Sequence, residues 1–282
     1  MGEVRRISSV LALLAVGACT TIQQGVPQRG SHYVAMGSSF AAGAGIGPTK
    51  PGTPERCGRT PNNYATLLAQ RLGLDLDDQT CGGATTAHIL GPWNELPAQI
   101  EAVTPETRLV TVTIGGNDLN YVGTLLAATC KPEAGLVIGG RKLACFKLAV
   151  PDADAYSRVE GGLRNVVQGV RERAPDATIV FVQYVTLVPE DSCDSAHFAP
   201  EKKALASTIG KRLAEITVKV ANETGAKVLA ADKLSRNHTT CDAEPWSIGL
   251  PPDYDGKGGA PWHPTAAGHA AIAEELATML GR

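Results

Sequence analysis

Positive charge is not in excess in this sequence: 26 Lys and Arg stand against 28 Asp and Glu among 282 residues. Without a basic field, or an aromatic-rich basic motif, there is nothing to neutralise a row of phosphates, so nucleic acid is not an expected partner. No two cysteines stand at C-x-x-C spacing, which argues against zinc and thioredoxin-type chemistry. His-x-x-x-His is missing too, and the Asp and Glu are too scattered to form a ligand cluster, so no metal is called for. Gly43-Ala44-Gly45-Ile46-Gly47 spaces its glycines as G-x-G-x-G, and G-x-x-x-x-G-K-[ST] does not occur, so a nucleotide-phosphate loop is not expected. The G-x-S-x-G elbow fails as well, because Gly37-Ser38-Ser39 continues with Phe40-Ala41. No internal repeat or low-complexity block interrupts a 43% hydrophobic composition, the mark of an ordinary globular domain.

What is present begins with an export signal. Arg5 and Arg6 precede a short apolar run, Val10 to Val16, and the small residues Gly17 and Ala18. The run falls well short of the ~20 residues that cross a bilayer, so residues 1–18 read as a signal peptide. Val16-Gly17-Ala18-Cys19 is similar to a bacterial lipobox, which makes Cys19 the expected lipidation site; simple cleavage and secretion is the alternative. Residues 19–31 carry no apolar periodicity and read as a tether, with the folded domain over 32–282.

With Cys19 set aside, six cysteines remain: Cys57, Cys81, Cys130, Cys145, Cys193 and Cys241. An even number in an exported chain points to three disulfides rather than buried thiols. Fifteen connectivities are open. Sequential pairing is favoured because each bridge then closes a loop-rich stretch.

Apolar patterning alternates strands with helices. Short strands are expected at 32–37, near 76–81, at 108–114, 178–185 and 227–231, and helices over 62–74, 96–103, 152–173, 200–224 and 265–280. Stretches 129–151, 187–200 and 232–264 read as irregular. Strands separated by helices imply parallel βαβ units, hence a three-layer α/β domain with a parallel sheet of about five strands. Ligands of such sheets bind beyond the carboxyl ends of the strands, so residues just after strands carry the chemistry.

Three strand ends and one pre-helical turn stand out. Gly37-Ser38-Ser39-Phe40 places a hydroxyl after the first strand, and Gly82-Gly83-Ala84 and Gly115-Gly116-Asn117-Asp118 offer N–H donors for a developing oxyanion. Trp262-His263-Pro264 supplies an imidazole whose ordinary pKa suits proton transfer. Each alone is equally a cap or a turn. His32, His88, His197 and His269 read as surface or packing residues, and His238 as a candidate pocket residue.

Together, Gly37-Ser38-Ser39-Phe40, Gly83-Ala84-Thr85-Thr86, Gly115-Gly116-Asn117-Asp118 and His263-Pro264 occur in the order and approximate spacing of the SGNH, or GDSL-type, hydrolases. The chain resembles their actinobacterial secreted esterase and lipase branch over residues 32–282. The resemblance implies a flavodoxin-like fold, the sequential disulfide order, and a serine esterase or lipase. In it Ser39 is the nucleophile, His263 the general base, and the backbone N–H groups of Ser39 and Gly83 with the Asn117 amide form the oxyanion hole. It implies action on acyl esters without a cofactor. A monomer is expected, exported and either held at the membrane through Cys19, as the lipobox-like run implies, or secreted.

Two positions depart from the pattern. Ser38 stands where the motif usually has Asp. Ala260 stands where the family places the Asp that orients the histidine, three residues before it. The expected substitute is the Ala260 main-chain carbonyl, as in related secreted esterases, with Asp255 or Asp253 as the alternative. A non-catalytic envelope lipoprotein that binds glycan or lipid in the same crevice is the rival reading.

Overall fold

The computed structural model describes residues 26–281, apart from 132, 134, 139, 140 and 253. The expected leader, Cys19 and most of the tether lie outside the described residues, as does Asp253.

Five strands form one parallel sheet: β1 (His32–Gly37), β2 (Asp75–Asp78), β3 (Thr107–Thr113), β6 (Thr178–Val182) and β7 (Lys227–Leu229), in the order β2-β1-β3-β6-β7. A separate antiparallel hairpin, β4 (Leu136–Ile138) with β5 (Arg141–Leu143), occupies the stretch expected to be irregular. β1, β3 and β6 are buried along most of their length, as a strand covered on both faces must be. The acid-rich β2, Asp-Leu-Asp-Asp, lies at an edge, where charge discourages further pairing.

Helices cover the sheet. α2 (Tyr64–Leu72) packs on α8 (Ala266–Met279), while α5 (Ala153–Arg173) packs on α6 (Pro200–Thr224), flanked by α3 (Thr86–Leu90) and α4 (Tyr121–Thr129). α5 buries Tyr156, Val159, Leu163, Val166, Val167 and Val170, the i, i+3, i+4 stripe of a helix lying on a core. Its start is fixed by Asp152, whose Oδ1 accepts from Ala155 N at 2.7 Å. Thr265 caps α8 in the same way, accepting from Gly268 N at 3.0 Å; each such cap is worth about 1 kcal/mol. Two very short helices, α1 (Ser39–Ala42) and α7 (Ala231–Leu234), follow strand ends.

The expected helix over 96–103 is only a 3₁₀ turn, Gln99–Ala102. Pro97 restricts the residue before it and donates no hydrogen bond, so an α-helix cannot run through from 96. Three disulfides, Cys57–Cys81, Cys130–Cys145 and Cys193–Cys241, staple the excursions in sequential order.

The sheet fixes where a site can form. From β1 the chain steps to β2 on one side, and β3 enters on the other, so the connections diverge at the β1/β3 boundary. That is the switch point at which open α/β sheets leave a crevice.

Candidate active site

Ser38 N donates to Thr113 O at 3.0 Å across the β1/β3 boundary, and Cys81 N donates to Gly37 O at 3.0 Å from the β2 side. Gln99 completes the clamp with two bonds: its Oε1 accepts from Gly37 N at 2.7 Å and its Nε2 donates to Gly37 O at 3.0 Å. Gly37 and the Ser38 N–H that follows it are therefore held by Thr113, Cys81 and Gln99. Ser38 is buried and caps α1 through its carbonyl, which accepts from Ala41 N and Ala42 N. Ser39 is then the first helical residue, half-buried, and its own N–H meets no acceptor among the described residues, as expected at a helix start.

His263 reaches Ser39 across 224 positions of sequence, with Nε2 2.7 Å from Ser39 Oγ. The bridge is made by backbone. Ala260 N donates to Ala44 O at 2.9 Å, docking the His263 turn on the loop after α1. Gly45 makes that approach possible: at φ +79°, a Cβ there would stand 2.6 Å from Ala260 N. The glycine run thus serves as a landing for the histidine turn.

That turn also corrects one expectation. The His263 ring does not use the Ala260 carbonyl; Nδ1 lies 2.8 Å from Pro261 O. Ala260 O is already taken by His263 N at 3.1 Å, which closes a turn with Pro261 second and Trp262, at φ +60°, third. Proline second and a left-handed third residue mark a type II turn, and the left-handed tryptophan is held by complete burial against Phe198. Asp255 does not approach the ring. It is exposed and turned to its own loop, accepting from Lys257 N at 2.9 Å and pairing with Lys257 Nζ at 3.1 Å.

A carbonyl can only accept, so His263 Nδ1 carries the proton and Nε2 presents a lone pair to the Ser39 hydroxyl. Burial, with Phe40 4.7 Å away between ring centroids, pushes the His263 pKa down to about 4, opposed only by the Pro261 hydrogen bond. The imidazole is therefore neutral at physiological pH, the state a general base requires.

The two other strand ends close on the serine turn. Gly83 is left-handed at φ +84°, and a Cβ there would stand 3.1 Å from the Trp93 indole. Its N–H has no acceptor among the described residues. Asn117 Nδ2 donates to Ala84 O at 2.8 Å, which fixes the amide and leaves its second hydrogen uncommitted. Asp118 braces the pair, accepting from Thr86 N and, at 2.6 Å, from Thr86 Oγ1. These groups put a hydroxyl, a neutral imidazole and unclaimed N–H donors in the segments that follow the carboxyl ends of β1, β2 and β3 or dock on them.

Three contributors lie outside the sequence motifs. The Pro261 carbonyl leaves no side-chain signature, and Gln99 sits in a turn whose register is set only by the fold. Tyr184 follows β6 and belongs to the class of residues just after strands: its hydroxyl lies 3.4 Å from Ser38 Oγ and accepts from Gly116 N at 3.0 Å. His238 is not part of the cluster; its Nδ1 lies 2.8 Å from Glu244 O and its ring stacks on Trp246. His269 is buried behind the site, accepting from Tyr64 N at 3.1 Å.

A model described as the GDSL-like Lipase/Acylhydrolase family matches residues 35–271. Lipase 2 of Streptomyces coelicolor is 30% identical over 286 residues, covering 97% of this chain and 95% of its own. Two solved structures share the fold, each with a TM-score of 0.68 over 88% of this chain and 99% of theirs. They are an extracellular lipase from Streptomyces rimosus, 21% identical, and phospholipase A1 from Streptomyces albidoflavus NA297, 24% identical.

Proposed function

The chain belongs to the GDSL-like lipase/acylhydrolase family and is a carboxylic ester hydrolase, and on that premise we propose that it works through an acyl-enzyme on Ser39 with His263 as general base. The observation that carries this reading is the 2.7 Å approach of His263 Nε2 to Ser39 Oγ with Nδ1 committed to the Pro261 carbonyl.

Ser39 Oγ attacks the acyl carbonyl carbon while Nε2 takes its proton. The C=O π electrons move to the carbonyl oxygen, which the N–H groups of Ser39, Gly83 and Asn117 receive; each donor so placed is worth roughly 10²- to 10³-fold in rate. Collapse expels the alcohol, protonated by the imidazolium. Water, deprotonated by the regenerated imidazole, then releases the acid from Ser39. The carbonyl of Pro261 keeps the tautomer and the ring orientation. Being uncharged, it stabilises the imidazolium less than a carboxylate would, so the rate is lower while the route is unchanged.

Membership of this family over 84% of the chain length leaves no separate support for a non-catalytic binding lipoprotein. The three disulfides fit an exported protein. Acylation of Cys19, with residues 19–31 as tether, is part of the same proposal and rests on the sequence of residues 16–19. Substitution Ser39→Ala is expected to reduce hydrolysis of a chromogenic acyl ester by at least about 10³-fold with the thermal transition unchanged. A retained rate would remove Ser39 from the chemistry.

A further inference from the structure

We infer that residues 142–150, on the excursion between α4 and α5, form a docking surface for an anionic lipid surface. Phe146, Leu148 and Val150 are 45%, 37% and 69% exposed, half of the exposed large apolar side chains among the described residues, gathered within five positions. Lys147 and Ala149 between them are exposed as well, so the whole stretch faces solvent. An apolar cluster of this kind on an otherwise well-buried protein marks a contact surface.

The charge of the same excursion selects the occupant. From Thr129 to Pro151 the sequence carries Lys131, Arg141, Lys142 and Lys147 against Glu133 alone, while the full chain has more acids than bases. Lys131, Lys142 and Lys147 make no ion pair among the described residues. Unpaired cations beside exposed Phe, Leu and Val match a negative headgroup layer over hydrocarbon: the lysines meet the headgroups and the apolar side chains enter the acyl boundary. No helix among the described residues is long and apolar enough to cross a membrane.

The platform is anchored rather than loose. The Cys130–Cys145 disulfide ties its start to the end of α4, and Thr124 Oγ1 donates to Ala149 O at 3.3 Å. α4 itself begins four residues after Asn117, so the excursion grows from the strand end that also bears that amide. This surface is independent of the chemistry assigned to Ser39, and its test leaves that assignment aside.

The test uses the full chain carrying Cys19→Ser, to remove the acylation site, and Ser39→Ala, to prevent lipid turnover. It is sedimented with vesicles of phosphatidylcholine containing phosphatidylglycerol, and with phosphatidylcholine alone. The expected result is partition onto the anionic vesicles that weakens at high salt and on the zwitterionic ones. The triple variant Phe146→Ser/Leu148→Ser/Val150→Ser is expected to lose at least about tenfold in partition. Lys142→Gln/Lys147→Gln is expected to lose about tenfold or more and to flatten the salt dependence, since each lysine near such a surface contributes about fivefold. With Ser39 restored, hydrolysis of a soluble short-chain ester is expected to be unaltered in both variants, which shows that they fold. Equal sedimentation of the triple variant overturns the inference. So does a chain that ignores anionic vesicles, including one that forms a dimer dissociated by the same substitutions.

Discussion

The carbonyl oxygen of Pro261 lies 2.8 Å from Nδ1 of His263, so a main-chain group two residues upstream holds the ring that meets Ser39. No carboxylate is needed for that orientation. Asp255, the nearest described acid in the preceding loop, is exposed and committed to Lys257. Substitution Asp255→Asn is therefore expected to change kcat/KM by less than about twofold. A loss comparable to that of His263→Ala, measured on the same ester, would assign the orienting role to Asp255.

The low pKa of His263 fixes the pH dependence. With the imidazole neutral down to about pH 4, kcat/KM is expected to be level through neutrality, with its acid limb well below 6.5. An acid limb centred at 6.5 or above would contradict the buried, uncharged setting of the ring. Stability follows the same groups. His263 and His269, the latter pushed down to about 3 mainly by burial, bind protons more weakly in the native state than in the unfolded chain. Their contribution is complete above about pH 6.5 and is lost as pH falls through the native values. Each pH unit in that window removes up to about 1.4 kcal/mol per histidine, which denaturant titrations at several pH values would measure.

Gln99 holds both backbone groups of Gly37, the residue that launches the serine turn. Leucine at that position leaves Gly37 N–H buried without an acceptor, a cost of about 1–3 kcal/mol. Gln99→Leu is expected to lower the thermal transition and to reduce kcat by about 10- to 100-fold with KM little changed, because misplacing the nucleophile affects chemistry before binding. An unaltered kcat in a folded variant would show that the turn keeps its geometry without the clamp.

Tyr184 bridges the serine block and the asparagine block: its hydroxyl, kept protonated by burial, accepts from Gly116 N and lies 3.4 Å from Ser38 Oγ. The phenol thus links the Ser38 hydroxyl to Gly116 N. Tyr184→Phe is expected to reduce kcat about tenfold. Adding Ser38→Asp, whose longer carboxylate can accept from Gly116 N–H, is expected to recover much of the loss. If the double variant is no better than Tyr184→Phe alone, the bridge is a packing contact only.

The fold was legible where long signals agree. β1 and α6 carry the bounds expected from the sequence, β1 from its apolar run and α6 from Pro200 at its first turn and Gly225 at its end. α1, α3 and α7, at four or five residues, are too short to display a period, and α4, Tyr-Val-Gly-Thr-Leu-Leu-Ala-Ala-Thr, has no charged residue to mark a polar face. The site divides along a similar line. Ser39, Gly83, Asn117 and His263 stand in recognisable blocks after strands or before a helix, so sequence could bring them forward as a set. What orients them could not be read: the Pro261 carbonyl is common to every residue type, and the Gln99 and Tyr184 contacts span 62 and 68 positions to Gly37 and Gly116.

The most direct measurement is covalent labelling of the folded protein with a fluorophosphonate, followed by peptide mass spectrometry. Modification confined to Ser39, fast in the parent chain and at least about 10²-fold slower in His263→Ala, is the result expected of a hydroxyl activated by that imidazole. Labelling at another residue, or a Ser39 rate indifferent to His263→Ala, would contradict the account.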